Sequence, residues 1–194
     1  ASNTGPINAS NPCSEYLHLD NSACNLASLN LLAFLDSARN DRFDLEGFRQ
    51  AVRVVFTAQD ILVGNADYPT AAIAQTSRDF RQLGLGYTNL GAMLMALGLP
   101  YNSEPARAWA GAITALMTGE AYATSVDLAQ RVGAFSGYSS NSDPMRQVLQ
   151  LHRDALNSVS GEAPTDLVTA ARSSWDYVVE GSEKHGVRNS QATV

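Results

Sequence analysis

Apolar residues recur at helical spacing along most of this chain. Leu45, Phe48, Val52, Val55, Phe56 and Leu62 share one face at three- and four-residue steps, and Asp44 just before them is a good cap. Ser103-Glu104-Pro105 puts a capping serine before a proline in the first turn, predicting a long helix through Trp109, Ile113, Leu116, Tyr122 and Leu128 that Gly133 stops. Asp143-Pro144 begins another helix with Met145, Val148, Leu149 and Leu156. Thr165-Asp166 begins a last one through Leu167, Ala171, Trp175 and Val178, ending near Gly186. Leu26, Leu29, Leu32 and Leu35 step by three and predict a helix capped by Asn21 or Ser22 and broken at Asn40-Asp41.

The remaining segments are shorter. Tyr68-Pro69 closes the region after Leu62, and a brief helical stretch runs through Ile73. Leu83, Leu90, Met93, Leu94 and Leu97 read as a helix in which Gly84, Gly86 and Gly91 permit close packing, although each glycine costs about 1 kcal/mol relative to alanine. Phe135 through Ser142 reads as a loop. Candidate strands are few: Tyr16-Leu17-His18-Leu19, closed by the turn cluster Asp20-Asn21-Ser22, and the stretch from Arg188 to Val194. The expected fold is mainly α, with an extended N-terminal region and about six helices, in one domain spanning 1–194.

Composition removes several functional classes. The 194 residues are 45% hydrophobic and 16% charged, enough apolar mass for one core. A net charge of −6 disfavours nucleic acid and anionic membranes as partners. No apolar run reaches the roughly 18–20 residues that span a bilayer, so a soluble, cytoplasmic protein is expected. His18, His152 and His185 lie too far apart for metal-ligand spacing. Gly84-x-Gly86 lacks the third glycine of a dinucleotide fingerprint.

Chemistry concentrates in the first 25 residues, which hold both cysteines: Cys13 in Asn11-Pro12-Cys13-Ser14-Glu15, and Cys24. Pro12 pushes Asn11 toward extended backbone, where alternate side chains share a face, so Asn11, Cys13 and Glu15 are expected to point the same way. Asn11 can donate and accept hydrogen bonds, and Glu15 can act as a general base. A carboxylate two residues away raises a thiol pKa, so the spacing suits a neutral thiol better than a thiolate nucleophile. The alternatives are a buried apolar role for Cys24, whose neighbours include Leu26 and Leu29, and a Cys13–Cys24 disulfide. The second is disfavoured because no secretory signal is visible and two cysteines make no framework.

Ser10-Asn11-Pro12-Cys13-Ser14-Glu15 and Ala23-Cys24-Asn25-Leu26-Ala27-Ser28-Leu29-Asn30-Leu31 together resemble the active-site stretch of ribonucleotide reductase large subunits, most closely the adenosylcobalamin-dependent class. Arg81-Gln82-Leu83-Gly84-Leu85-Gly86-Tyr87-Thr88-Asn89-Leu90-Gly91 and Arg188-Asn189-Ser190-Gln191-Ala192-Thr193-Val194 extend the resemblance through nearly the whole chain. The resemblance implies a segment of a ten-stranded α/β barrel whose finger loop carries the radical cysteine. By the same resemblance Cys13 becomes a thiyl radical that abstracts the ribose 3′ hydrogen. Glu15 accepts the 3′-hydroxyl proton, Asn11 holds the substrate, and Cys24 is half of a redox pair. Adenosylcobalamin, a ribonucleotide, a dithiol reductant such as thioredoxin, the rest of the barrel and a homo-oligomer are the implied cofactor and partners.

Family members are much longer. The partner of Cys24, the stretch that holds substrate phosphate and most of the cobalamin surface are not in this sequence, so the chain alone is expected to be an inactive fragment, with Ala1-Ser2 a cloning remnant. The alternative is a helical interaction module that keeps the family sequence without catalysis.

Overall fold

The computed structural model describes residues 3–36 and 43–193, so the expected break at Asn40-Asp41 lies outside the described residues. Among them are three strands and six α-helices in the order β1 (Asn25–Asn30), α1 (Leu45–Asn65), α2 (Ala71–Phe80), β2 (Leu83–Thr88), α3 (Leu90–Ala96), α4 (Glu104–Val132), α5 (Tyr138–Ala155), α6 (Thr165–His185) and β3 (Ala192–Thr193). Short 3-10 turns cover Leu31–Phe34 and Leu156–Ser158.

The sheet order is β1-β2-β3 and both pairings are parallel, running from Asn25↔Leu83 to Asn30↔Thr88, with Leu83↔Ala192 on the other side. Parallel neighbours require a crossover, and here each crossover is helical: α1 and α2 link β1 to β2, and α3 to α6 link β2 to β3. Leu29, Leu83 and Leu85 join one core with Phe48, Val52 and Phe56 of α1 and Ile113, Leu116 and Met117 of α4. On the other face Leu26 is 67% exposed, and Ser28 and Asn30 are exposed with it. Three strands are what the described residues show; a closed ten-stranded barrel is not seen.

Two expected helices are therefore strands in part. The three-residue leucine spacing from Leu26 suits a helix, but Asn25, Ser28 and Asn30 favour one weakly, and alternation of Ala27 and Leu29 inward with Leu26, Ser28 and Asn30 outward matches the pairing offered by β2. Leu83 to Thr88 is the partner strand, and only Leu90–Ala96 is helical. Tertiary pairing overrides local propensity at both places. Tyr16 to Leu19 is not a strand; one antiparallel bridge joins Ser10 and Leu17. Ala192–Thr193 bears out a strand near the end.

α1 and α4 start where their caps predicted. Asp44 accepts from the Gly47 amide at 3.0 Å, and Ser103 accepts from the Ala106 amide at 3.3 Å. α5 begins earlier than expected, at Tyr138, leaving Pro144 inside it. A proline cannot donate to the carbonyl four residues back. That carbonyl, Ser140 O, instead accepts from the Asn3 side-chain amide at 2.8 Å. α4 is the central helix, buried on nearly every side, and α6 lies along it. Close approach rests on Gly181, where a Cβ would stand 2.6 Å from Val126, and the Trp175 indole donates to Ala115 O at 2.9 Å.

Candidate functional site

Residues 11–16 form a closed turn rather than an extended run. The Ser14 amide donates to Asn11 O at 3.1 Å, and the Asn11 amide donates to Tyr16 O at 3.2 Å. The Asn11 side-chain oxygen accepts from the Tyr16 amide at 3.0 Å. Pro12 suits the second position of such a turn, and Ser14 takes a left-handed conformation with φ 65°. Cys13 is thereby lifted to the exposed tip as a free thiol. Asn11, Cys13 and Glu15 do not alternate along one strand face as expected. The Asn11 oxygen shapes the loop, while Glu15 is half-buried beneath it.

Glu15 faces toward the second cysteine. Cys24 is half-buried, its thiol pushed up to about 11 by burial first and by the Glu15 charge second. Its Sγ lies 3.7 Å from Asn25 O, and a Cβ on Gly84 would stand 3.0 Å from that sulfur. Glycine in β2 therefore leaves room for the thiol. The loop and Cys24 thus form one neighbourhood, with the thiol protonated at neutral pH.

Three side chains fasten this neighbourhood to the body of the fold. Tyr16 is buried and donates to Ser22 Oγ at 2.9 Å, and Ser22 donates to Leu19 O at 2.6 Å. The Tyr16 hydroxyl is pushed up to about 12, by burial against the opposing pull of Ser22 and Gln82. His18 sits between Tyr16 and Phe80, with ring centroids at 5.8 and 5.4 Å, and its Nε2 lies 3.3 Å from Ser190 Oγ. Burial lowers His18 to about 4, so the ring is neutral.

A buried polar network holds the last strand in place behind the loop. Arg81, in left-handed backbone at φ 50°, donates to Asp60 Oδ1 at 2.9 Å. Asn189 donates to Asp60 Oδ1 at 3.0 Å and to Arg81 O at 2.9 Å, and its own oxygen accepts from Ser125 at 2.9 Å. Gln59 reaches from α1 to the sheet, its Nε2 donating to Asn25 O at 3.0 Å and to Gly84 O at 2.7 Å. None of these partners was visible in sequence spacing, because each joins elements far apart in the chain.

A cavity of about 510 Å³ lies beyond His18, walled by Leu17, Phe80, Tyr122, Met145, Val148 and Ala192 among others. The hollow at the loop itself, between Ala9 and Ser22, is about 220 Å³. Drug-sized ligands fill pockets of about 300–1,000 Å³. The loop hollow therefore cannot cradle a corrin-sized group. Among the described residues no cluster of three or more His, Cys, Asp or Glu could hold a metal ion, and no helix is long and apolar enough to cross a membrane. Gly84 and Gly86 lie in a strand, not in a phosphate-binding loop.

An exposed thiol on a hydrogen-bonded turn, a half-buried carboxylate below it and a second thiol just before a parallel strand are brought into one neighbourhood by the fold. The chain belongs to the ribonucleotide reductase family: the model described as "Ribonucleotide reductase, barrel domain" matches residues 1–194. It is 54% identical over 192 residues to a vitamin B12-dependent ribonucleotide reductase of Rhodopirellula baltica, covering 99% of this chain and 18% of that protein. A vitamin B12-dependent ribonucleotide reductase of Streptomyces clavuligerus is 50% identical over 195 residues, covering 98% and 20%. A ribonucleoside-diphosphate reductase subunit alpha of Chlamydia pneumoniae is 28% identical over 192 residues, covering 96% and 18%. The chain thus spans about a fifth of the length of these relatives.

Proposed function

We propose that this chain supplies the radical and reducing cysteines of a ribonucleotide reductase that converts ribonucleotides to 2′-deoxyribonucleotides. The observation that carries this reading is Cys13 held exposed at the tip of the Asn11–Tyr16 turn, with Glu15 and the protonated Cys24 below it. Cys13 as a thiyl radical takes the ribose 3′ hydrogen, and Glu15 takes the 3′-hydroxyl proton. Cys24 and a second thiol of the whole protein together give up two hydrogens and become a disulfide. The substrate loses its 2′-hydroxyl as water, and Cys13 and Glu15 return the 3′ hydrogen and the 3′-hydroxyl proton, so that the thiyl is regenerated and the two thiol hydrogens account for the net reduction. The neutral state of Cys24 suits this role, since the thiol must deliver hydrogen rather than attack as an anion.

Vitamin B12 dependence, the property named for the relatives, enters the same reading: adenosylcobalamin supplies the radical that oxidises the thiol. The loop hollow, at about 220 Å³, is too small to enclose it. What the loop offers is the exposed thiol itself. We place residues 1–194 as one part of a ten-stranded barrel, completed by the rest of the protein, and inactive without it. A dithiol protein such as thioredoxin regenerates the cysteine pair, the enzyme is a homo-oligomer, and its compartment is the cytoplasm.

The deciding experiment replaces Cys13 by serine in a full-length reductase carrying this segment. Nucleotide reduction is expected to vanish while the fold persists. Turnover that survives Cys13→Ser overturns the assignment.

A further inference from the structure

Cys24 is held by a side chain that neither its sequence neighbours nor the family motif would reveal. Gln59 lies near the last turns of α1 and is 3% exposed. A primary amide carries two N–H donors. Here the nitrogen reaches two backbone carbonyls on adjacent strands, Asn25 O at 3.0 Å and Gly84 O at 2.7 Å. Those two peptides are the ones that confine the Cys24 thiol. Asn25 O is the acceptor 3.7 Å from Cys24 Sγ, and Gly84 is the position whose missing Cβ leaves room for that sulfur at 3.0 Å. One buried amide therefore pins both walls of the space in which the sulfur sits.

We propose that Gln59 is a positioning residue for Cys24, fixing the start of β1 against β2 so that the thiol reaches its reaction partner by side-chain rotation alone. The inference rests on the reading of Cys24 as a reductant. Gln59 touches neither substrate nor the reacting sulfur; it acts through the Asn25 and Gly84 peptides. With the clamp in place the backbone on either side of the sulfur is rigid, and rotation about χ1 is the one soft coordinate left. Without it, the Asn25 carbonyl loses its stronger donor and the first peptide of β1 can shift relative to Gly84. A glutamine in the apolar row of Phe48, Val52, Phe56 and Val63 has no packing rationale of its own.

The test uses a full-length reductase carrying this segment, with Gln59→Met to remove both donors at similar volume and Gln59→Glu as a second variant. Alkylation of Cys24, followed by peptide mass mapping of the reduced enzyme, is expected to change by about fivefold in Gln59→Met, because thiol reactivity follows its surroundings. Dithiol-driven steady-state turnover should fall by about tenfold, the scale of loss expected from sub-ångström misplacement, and the first turnover of pre-reduced enzyme should fall with it, because Cys24 gives up its hydrogen in every turnover. Gln59→Glu should match Gln59→Met at pH 8 and recover partly as its carboxyl protonates and regains one donor. Unchanged alkylation, or a first turnover of pre-reduced enzyme at the parent rate, overturns the proposal. Cys24→Ser runs alongside: if deoxynucleotide still forms in the first turnover of pre-reduced enzyme, the reductant reading fails, whereas a reductant Cys24 indifferent to both Gln59 variants sinks the positioning role alone.

Discussion

Asn189 and Asp60, 129 residues apart, meet through a 3.0 Å hydrogen bond at a fully buried site. The same Asp60 oxygen takes the Arg81 guanidinium, and Arg188 lies 3.7 Å from the other. One carboxylate thus ties α1, the Arg81 turn between α2 and β2 and the segment that leads into β3.

Asp60→Ala should be the most damaging polar substitution in the chain. Arg81 is 7% exposed and would be left as an uncompensated buried charge, a loss of roughly 3–5 kcal/mol. Asn189→Ala removes donors without stranding a charge and should cost about 1–3 kcal/mol. Urea unfolding of both variants checks the order, and an Asn189→Ala that proves worse than Asp60→Ala refutes it.

His18 makes stability depend on acid. Its folded pKa of about 4 lies below the ordinary histidine value of 6.5 because the ring is buried. Above pH 6.5 both folded and unfolded rings are neutral and nothing is gained or lost. Between pH 6.5 and 4 the unfolded ring binds a proton that the folded one refuses, so stability falls with pH across that window. His152, also lowered by burial, acts in the same direction. Denaturation midpoints from pH 7 to 4 should drop less steeply in His18→Gln than in the parent; identical slopes would mean the ring does not dock neutral.

The two thiols should react very differently. Cys13 is exposed, whereas Cys24 is pushed to about 11 and half-buried. Iodoacetamide at pH 8 is expected to label Cys13 first, with Cys24 following on unfolding. The sign for stability is the reverse of the histidine case: a raised thiol pKa leaves folding unaffected below the ordinary value near 9 and erodes it as pH climbs from there toward 11. Time-resolved peptide mapping distinguishes the pair.

Gly84→Val tests the space reserved for sulfur. A Cβ there would stand 2.5 Å from Leu26 Cδ2 and 3.0 Å from Cys24 Sγ. Leu26 is exposed and can swing aside, but Cys24 cannot without leaving Asn25 O. A loss of about 1–3 kcal/mol is expected from overpacking, together with faster Cys24 alkylation as the thiol is displaced. Normal Cys24 reactivity in a folded Gly84→Val protein would contradict the geometry.

The helices were legible where caps and periodicity agreed. Asp44 and Ser103 mark α1 and α4 because a cap is a local interaction, complete within four residues. The strands were not legible for the opposite reason. Leu26 to Leu35 satisfies a helical period, and only Leu83 to Thr88 alongside makes β1 the better answer, which is information held 58 residues away in the pairing of Asn25 with Leu83. The candidate site divides the same way. Cys13, Glu15 and Cys24 could be named from chemistry and resemblance. Tyr16, His18, Gln59 and Gln82 could not, because what they touch is set by the fold. The extended geometry expected at Asn11 failed because Pro12 serves a turn as readily as a strand.

The cysteine-bearing segment is joined to the body of the fold by partners distant in sequence. His18 reaches Ser190 across 172 residues, Asn141 reaches Thr4 across 137, and the Ala23 amide reaches Ser77 across 54. Closing a loop costs entropy that grows with its length, by about 0.6 kcal/mol for each doubling. Contacts of such long span are formed only after the nearer ones have shortened the chain between them. The helices of α4 and α6 can therefore consolidate early, while the turn bearing Cys13 is seated late. The Cys13 thiol takes up its position only once the scaffold that confines it is already rigid.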